Sequence, residues 1–235
     1  MRTIKIMDWN IETNPRFFDT KKIDNIITTV RQENPDVILL QEFDERYKKL
    51  ALELESSGYF IAYDTDIPQL RKRVFLASKF TIEDTSLSRK VYDYSHRNFK
   101  EYKINIPDTL TLRLLALHVP PSESSTFEGR KIDQKHLREN FLSSAVEVAK
   151  SYKNSDIPSL IIGDLNLYKG STNEEYLTDF YDSLIEITKG EPTDARGNKT
   201  DYLFVNCAVI PLDYKVTHTP FSDHAYLIFH LKNKR

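Results

Sequence analysis

The sequence predicts an α/β domain of the α+β kind, built from layered, mixed β-sheets, and three observations support this prediction. Short apolar runs of strand length alternate with amphipathic segments of helical spacing along the 235 residues. Their order is not the strict strand–helix–strand repeat of a purely parallel sheet, which indicates mixed sheets. No Pro-, Gly- or Ser-rich linker divides the chain. We therefore expect a single domain over residues 1–235.

The predicted helices follow from apolar residues that recur at intervals of three and four. Four segments show this spacing, and their apolar residues are Ile23, Ile26, Ile27 and Val30; Tyr47, Leu50, Ala51 and Leu54; Phe141, Ala145, Val148 and Tyr152; and Leu177, Phe180, Tyr181 and Leu184. Asn34 and Pro35 are expected to end the first helix, because proline disfavours continuation. Ser125 and Glu128 form a capping-box pattern before the third helix.

The predicted strands are apolar runs, several of them rich in β-branched residues, which is typical of strands buried on both faces. The first contains Ile4, Ile6 and the start of WNI. Later runs are, in chain order, DVILLQE, VFLAS, LRLLALH, IPSLIIGDLN, DYLFVN and HAYLIFHL.

The composition excludes several classes of protein. Hydrophobic residues make up 40% and charged residues 29% of the chain, as in globular rather than disordered proteins. No run approaches the roughly eighteen apolar residues of a membrane span, and the first residues lack the apolar segment of a secretory signal. We therefore expect no membrane anchor. The single cysteine, Cys207, is expected to be a small buried hydrophobe, and a chain with one cysteine suits the reducing cytoplasm.

Acidic, amide or imidazole side chains stand at the ends of nearly every predicted strand. These residues are Asn10, Glu42, His118, Asp164, Asn166, Asp201, Asp223 and His224. Because strand ends that gather at one sheet edge hold functional groups rigidly and leave room for a substrate, we expect these side chains to form one site.

Three of these residues are candidate metal ligands. Asn10, Glu42 and Asp223 offer oxygen atoms only, which suits a hard cation. Mg²⁺ needs only one or two carboxylates together with water and a substrate phosphate, and Mn²⁺ is expected to substitute for it.

The other five residues suit acid–base chemistry. Asp164 and Asn166, two residues apart, point to the same side of an extended segment and supply a general base and a hydrogen-bond donor. His118 and His224 can donate to a phosphoryl oxygen, and Asp201 can orient and charge one of them. A metal, a base and donors without an obvious protein nucleophile indicate in-line attack of water on a phosphoester.

Six motifs carry a family resemblance. MDWNI, PDVILLQE, ALHVP, IIGDLN, TDYLFVN and SDHAYL occur in this order between about Ile4 and Leu231 and resemble the endonuclease/exonuclease/phosphatase superfamily, which has the deoxyribonuclease I-like fold. The resemblance implies a four-layered α/β/β/α sandwich of two packed mixed β-sheets flanked by helices. It places the site at one edge of the two sheets.

The resemblance also implies a role for each residue of the site. Glu42 would be the main metal ligand, with Asn10 and Asp223 near it, and either one metal ion or two is compatible with the family. Asp8 stands where Ser or Thr is usual. It is expected either to be capped or salt-bridged or to contact the surroundings of the metal.

For the remaining residues, the resemblance implies contacts with water and phosphate. Asp164 would orient or deprotonate the attacking water, Asn166 would bind the phosphate, and His118 would contact it. His224 and Asp201 would form a pair at the scissile group, with His224 as base, acid or donor.

The expected substrate is a nucleic acid. The net charge of −2 means that a polyanion must be met by local basic residues or a bound metal. A nucleic-acid backbone needs only a few contacts spread along a groove, which scattered arginines can supply. The candidate contacts, all in or just after segments that should flank the site, are Arg71, Lys72, Arg73, Arg130 and Arg138.

Two alternatives remain open at this level. A small phosphoester, such as a nucleotide, an inositol phosphate or a phospholipid headgroup, is the main rival substrate. A binding module that has lost catalysis is the other, although all the core positions are present. The sequence indicates no obligate protein partner, and it leaves the oligomeric state open.

Overall fold

A computed structural model of the chain describes residues 2–12, 20–64, 72–85, 98–107, 110–121, 126–127, 130–131 and 134–234. The strands are β1 (Thr3–Asn10), β2 (Val37–Phe43), β3 (Phe60–Ala62), β4 (Arg73–Ser78), β5 (Thr81–Asp84), β6 (Phe99–Ile106), β7 (Leu110–His118), β8 (Thr126–Phe127), β9 (Arg130–Lys131), β10 (Ser159–Asp164), β11 (Ile185–Glu186), β12 (Asp201–Val205), β13 (Val209–Thr217) and β14 (Tyr226–Asn233). The helices are α1 (Thr20–Glu33), α2 (Lys48–Ser56), α3 (Gln134–Lys153) and α4 (Glu175–Ser183), and a short 3-10 turn lies at Glu45–Tyr47.

Two mixed sheets of six strands pack face to face. The first has the strand order β13-β14-β1-β2-β4-β3, and the second has the order β11-β12-β10-β7-β6-β5. Each sheet has one parallel pair at its centre, β1 with β2 and β7 with β10. Strands β8 and β9 form a separate pair.

Three apolar layers hold these elements together. Inward residues of both sheets, such as Ile6, Leu39 and Leu114, form the layer between the sheets. The helices α1 and α2 cover the outer face of the first sheet, and α3 and α4 cover the outer face of the second. This arrangement confirms the predicted four-layered α/β/β/α sandwich.

Most predicted elements are present, and the differences have physical causes. The strands β6 and β13 were not predicted, because charged residues interrupt β6 and most of β13 is exposed. The predicted capping box is wrong: Ser125 and Glu128 lie outside the described residues, Thr126–Phe127 is a strand, and α3 begins at Gln134. Cys207 is exposed in the turn after β12, so the prediction that it is buried is wrong.

Among the described residues, no helix combines the length and the apolar character that crossing a bilayer requires.

Gly163, directly before Asp164 in β10, allows an unusually close approach to the neighbouring strand β7. Its φ is +131°, and a Cβ atom built there would lie 2.0 Å from the carbonyl oxygen of Leu117. We expect Gly163→Ala to lower the free energy of unfolding by roughly 3–5 kcal/mol, because backbone strain and steric overlap add. Urea denaturation measures this change.

The matched control is Gly190→Ala. Gly190 has a φ of +82°, but a Cβ atom there would meet nothing within 4 Å, so only the backbone strain of about 1–2 kcal/mol applies. Equal losses in the two variants would contradict a steric role for Gly163.

Candidate active site

The polar residues of the site continue the inward-facing alternation of the central strands. Strand residues two apart share a face of the sheet. A polar residue at the end of an inward-facing apolar series therefore also faces the layer between the sheets. The inward series are Ile4, Ile6, Asp8 and Asn10 on β1; Val37, Leu39 and Gln41 on β2; Leu112, Leu114, Ala116 and His118 on β7; Leu160, Ile162 and Asp164 on β10; and Val205, Leu203 and Asp201 on β12. The site is therefore the polar end of the layer between the sheets.

Asp164 lies at the centre of this polar end and is only 1% exposed. Its Oδ2 accepts hydrogen bonds from Asn10 Nδ2 at 3.0 Å and from Asn166 Nδ2 at 3.2 Å. Its Oδ1 accepts from the backbone N–H of Asn166 at 2.8 Å. The Nε2 atoms of His118 and His224 each lie 3.9 Å from Asp164 Oδ2. Both imidazoles therefore face this carboxylate.

The surroundings of Asp164 make it a weaker acid than an ordinary aspartate. Burial raises its pKa to about 7, and the nearby charge of Asp201 acts in the same direction. The charge of His224 and the hydrogen bonds from Asn166 and Asn10 oppose this rise. A carboxyl group with such a pKa can accept a proton near neutral pH, which a general base requires.

Asn166 fixes the position of Asp164. Its backbone adopts a left-handed conformation with φ +49°. Its Nδ2 donates to Val119 O at 2.9 Å as well as to Asp164. Both amide protons are thus engaged within the protein, and the predicted contact with a phosphate requires Asn166 to release the longer bond to Asp164.

His224 forms an ion pair with Asp201 at the start of β12. His224 Nδ1 lies 2.9 Å from Asp201 Oδ2, which also accepts a hydrogen bond from Thr200 Oγ1 at 3.0 Å. Burial by itself would lower the pKa of His224, but the charge of Asp201 and the hydrogen bond to it raise this pKa to about 11. The imidazole is therefore charged at neutral pH, and its Nε2 can donate toward the site.

The segment that carries His224 is tied to the end of β1. Trp9 Nε1 donates to His224 O at 3.2 Å, and Ser222 Oγ donates to Asn10 O at 2.6 Å. These two bonds hold His224 in place although it precedes the regular part of β14.

His118 differs from His224 in its protonation. Burial lowers its pKa to about 4, because the carboxylate of Glu42 offsets the burial only in part. His118 is therefore neutral at physiological pH. Its Nε2 lies 3.9 Å from Glu42 Oε1, and among the described residues its Nδ1 has no hydrogen-bond partner.

A bulge in β2 directs Glu42 toward the site. Simple alternation would place Glu42 on the helix-covered face together with Leu40. However, the register against β4 shifts by one residue between Leu40 and Phe43, and Glu42 has a φ of +60°. Phe43 consequently packs on the helix-covered face, and Glu42 turns to the inner edge. Its carboxylate also accepts a hydrogen bond from the ammonium of Lys72.

Asp8 and Gln41 lie beneath the site. Gln41 Nε2 donates to Asp8 Oδ1 at 2.5 Å, and both residues are fully buried. Burial raises the pKa of Asp8 well above its ordinary value, and the charges of Asp201 and Asp164 add to the rise. Asp8 is thus a hydrogen-bonded residue below Asp164 and Asp201.

All eight predicted site residues belong to one contact network. Asp164 contacts Asn10, Asn166, His118 and His224, while Glu42 adjoins His118. His224 contacts Asp201, and its Nε2 lies 3.9 Å from Asp223 Oδ1. Strand-end polarity alone therefore identified residues that the fold places side by side.

The residues present fit a divalent metal ion. Several carboxylates meet at one edge, and the pKa of Asp164 is raised first by burial and then by the charge of Asp201, a repulsion that a cation would relieve. Asp164, Asp201 and His224 offer ligand atoms within 4.8 Å of one another. However, a charged imidazole cannot bind a metal, and His224 is already paired with Asp201. Glu42 and its neighbours are therefore the better ligands.

Two predicted substrate contacts, Arg73 and Arg138, are internal. Arg73 is fully buried, donates to Asp64 O, and lies over the ring of Tyr63 at 5.7 Å from its centroid. A buried guanidinium that is held by the protein cannot also bind a phosphate on the surface. This part of the prediction is therefore corrected.

Arg138 instead joins the loops that follow β7 and β10. Its guanidinium donates to the carbonyl oxygens of Pro120, of Asn166 at 2.7 Å and of Thr172 at 3.3 Å, and its side chain is 1% exposed. Arg138 thereby supports the loop that carries Asn166. Arg71 lies outside the described residues, and Arg130 belongs to β9 with a side chain that is not described.

Sequence reasoning missed Gln41 and Lys22, whereas Lys72 was an expected substrate contact and lies at the site, where it pairs with Glu42. Gln41 could have been found, because it continues the inward series Val37 and Leu39 directly before Glu42. Lys22 gave no such signal, since only the packing of α1 brings it to the site.

Comparisons with known proteins agree with this geometry. The sequence model of a family described as the "Endonuclease/Exonuclease/phosphatase family" matches residues 9–224. Comparison with curated proteins finds no significant match.

Several solved structures share the fold. An endonuclease/exonuclease/phosphatase from Beutenbergia cavernae DSM 12333 has a TM-score of 0.72 and 17% identity, over 99% of this chain and 72% of that one. The human Nocturnin catalytic domain has a TM-score of 0.73 and 16% identity, over 99% and 95%. The 3′ phosphatase NExo from Neisseria, bound to a product DNA hairpin, has a TM-score of 0.68 and 14% identity, over 96% and 98%. At these identities the likeness shows the fold alone.

Proposed function

Because the chain belongs to the endonuclease/exonuclease/phosphatase family, whose members are phosphoric ester hydrolases, we propose that it is a Mg²⁺- or Mn²⁺-dependent phosphodiesterase that cleaves DNA or RNA. One observation carries this proposal: a buried carboxylate with a pKa of about 7, Asp164, lies between a charged and a neutral imidazole. This arrangement supplies a base and two donors of different charge around one point.

The roles follow from the protonation states. Asp164 accepts a proton from the attacking water, because its pKa lies near neutral pH. His224, which Asp201 keeps charged, donates to a phosphoryl oxygen or to the departing oxygen, where negative charge develops. Neutral His118 donates a further hydrogen bond, and Asn166 holds Asp164 in position and contacts the phosphate.

Glu42 would hold the metal ion, with Asn10 and Asp223 near it. A bound Mg²⁺ would supply stabilisation of the negative charge that develops on the phosphoryl oxygens. Lys72, which pairs with Glu42, also brings a positive charge to this edge of the site.

A nucleic-acid substrate agrees with the charge distribution around the site. The chain as a whole is slightly acidic, yet Lys22 and Lys72 lie beside the acidic centre. Local cations of this kind are what a strand of phosphodiesters needs. NExo, which shares the fold, was solved with a DNA hairpin bound.

We expect Glu42→Gln to lower the metal-activated hydrolysis of single-stranded DNA by more than about 100-fold, because the substitution removes the principal anionic ligand. The rate is measured against Mn²⁺ concentration, and Mn²⁺ binding is followed separately by electron paramagnetic resonance. If the wild-type protein hydrolyses neither DNA nor RNA, the nuclease proposal is overturned.

Glu33→Gln is the matched control. Glu33 is 18% exposed and pairs with Lys5 at 2.8 Å, much as Glu42, at 14%, pairs with Lys72, but it lies at the end of α1, away from the site. This variant should keep the wild-type response to Mn²⁺. Undiminished hydrolysis by Glu42→Gln in the presence of a chelator would exclude the metal-dependent mechanism.

A further inference from the structure

A cavity of about 610 Å³ lies beside the active site, and of its lining residues only Asp223 has a role in the proposed mechanism. It is bounded by the residues after β1, the first turn of α1 and the segment before β14. The residues that line it include Glu12, Lys21, Lys22, Phe221, Ser222 and Asp223.

Lys22 is an unusual feature of this cavity. Lys22 is only 8% exposed. Among the described residues, its Nζ has one hydrogen-bond partner, the backbone carbonyl oxygen of Glu12 at 2.6 Å, and no carboxylate within 4.0 Å. An ammonium carries three donors, and the described residues use only one of them, so two can serve a ligand. A buried cation that lacks a directly paired anion is costly unless an anion binds beside it.

The electrostatics around Lys22 also bear on whether an anion can bind beside it. Burial lowers its pKa, whereas the more distant carboxylates of Glu12, Asp223 and Glu42 partly restore it. Within the proposed function, Asp223 would share its charge with a bound metal ion. A phosphate would therefore approach Lys22 with less repulsion than the lining residues alone suggest.

The cavity adjoins the active site at Asp223. Ser222 is anchored to Asn10 O at 2.6 Å, and Asp223, at the cavity wall, is followed directly by His224. A ligand that reaches from His224 past Asp223 therefore enters this cavity. Phe221 gives the cavity an apolar wall, against which a sugar or base can pack.

We propose that this cavity is the subsite for the phosphate next to the scissile one in a nucleic-acid strand, and that Lys22 binds that neighbouring phosphate. The inference rests on the proposed function and extends it, because it concerns how the strand is held and not how the ester is cleaved.

The test compares p-nitrophenyl esters of thymidine phosphate, linked through the 5′ or the 3′ oxygen, each with and without one further phosphodiester. Wild-type protein should hydrolyse one of the extended esters with a higher kcat/KM than its short counterpart. Lys22→Gln should remove this advantage, lowering kcat/KM for that extended ester by about 10- to 100-fold and leaving the short esters unchanged.

Lys21→Gln is the matched control, because Lys21 lines the same cavity but is exposed. It should change every kcat/KM by less than about threefold. A second measurement needs no variant: replacing the further phosphodiester by an uncharged methylphosphonate should abolish the advantage in the wild-type protein.

The outcomes separate the inference from the proposed function. Equal losses by Lys22→Gln on short and extended esters, or full retention of the advantage with methylphosphonate, would overturn the subsite and leave the hydrolase intact. Failure of the wild-type protein to hydrolyse any of the esters would overturn both.

Discussion

An Asp164→Asn protein is expected to hydrolyse phosphodiesters roughly a thousandfold more slowly than the wild type, while its stability changes by no more than about 1 kcal/mol. The loss of rate follows because an amide cannot accept the proton of the attacking water. Asn has nearly the same shape as Asp, so the packing of this 1% exposed side chain is preserved. Steady-state kinetics and urea denaturation measure the two quantities.

Two opposing effects keep the stability nearly constant. The amide cannot accept from both Asn10 Nδ2 and the Asn166 N–H, so one hydrogen bond of the native protein is lost. At the same time, the substitution removes a carboxyl group whose charged form the protein disfavours. Burial and the charge of Asp201 raise the pKa of Asp164 to about 7, so the cost of its ionisation to the folded state grows as the pH rises from about 4 to about 7 and is complete above that.

Asp36→Asn provides the contrasting control. Asp36 precedes β2 at the opposite edge of the first sheet, where its Oδ2 accepts from Lys5 N at 3.0 Å and its Oδ1 lies 3.6 Å from Lys79 Nζ. This variant should lose stability and keep its activity. An Asp164→Asn protein with wild-type kcat would exclude Asp164 as the base.

Alternation along the strands was sufficient to predict the mixed α/β class and to group the polar residues of the candidate site, as β1 illustrates, whereas the four-layered architecture was predicted from the family resemblance. Ile4 and Ile6 face the layer between the sheets, and the same alternation carries Asn10 to its polar end. Because periodicity and strand ends are local properties, the chain itself contains this information.

The parts that could not be predicted depend on contacts between distant segments. Arg73 and Arg138 are charged residues near the expected site, and nothing in their neighbours shows that the guanidinium groups turn inward. The same holds for Lys22, which reaches the site only through the packing of α1. Strand β13 was missed because an edge strand with exposed side chains has no apolar period to detect.

The position of Glu42 could be predicted from the sequence only in part. The motif identified Glu42, but alternation would have placed it on the wrong face of β2. An extra residue in the strand, visible only in the register against β4, corrects its direction. Site residues identified from a motif thus need the strand register before their direction can be stated.

The second large effect is expected for Asp201→Asn, which should lower activity at pH 8 by roughly 10²- to 10⁴-fold. Asp201 is fully buried, and its Oδ2 lies 2.9 Å from His224 Nδ1. The amide can still accept a hydrogen bond from the ring, but it carries no charge. The positive charge on His224 is therefore what the substitution removes.

The pH dependence of this loss of activity follows from the pKa of His224 in the wild type and in the variant. In the wild type, His224 has a pKa of about 11 and stays charged over the whole neutral range. Without the charge of Asp201, burial should lower this pKa strongly toward the ordinary value of about 6.5, because Asp164 and Asp223 raise it less than Asp201 does. The rate of the variant relative to the wild type should consequently fall as the pH rises from about 5 to 9, and it should recover most in acid.

A second aspartate–histidine pair provides the control. Asp213 contacts His230 Nδ1 on the strands β13 and β14, and both side chains are more exposed than those of the catalytic pair. Asp213→Asn should leave the pH–rate profile unchanged. The charge state of His224 can be followed directly by the ¹⁵N shifts of its ring in both variants. If Asp201→Asn and wild-type protein show profiles of the same shape, with His224 still charged at pH 8, Asp201 only positions the ring and does not set its charge.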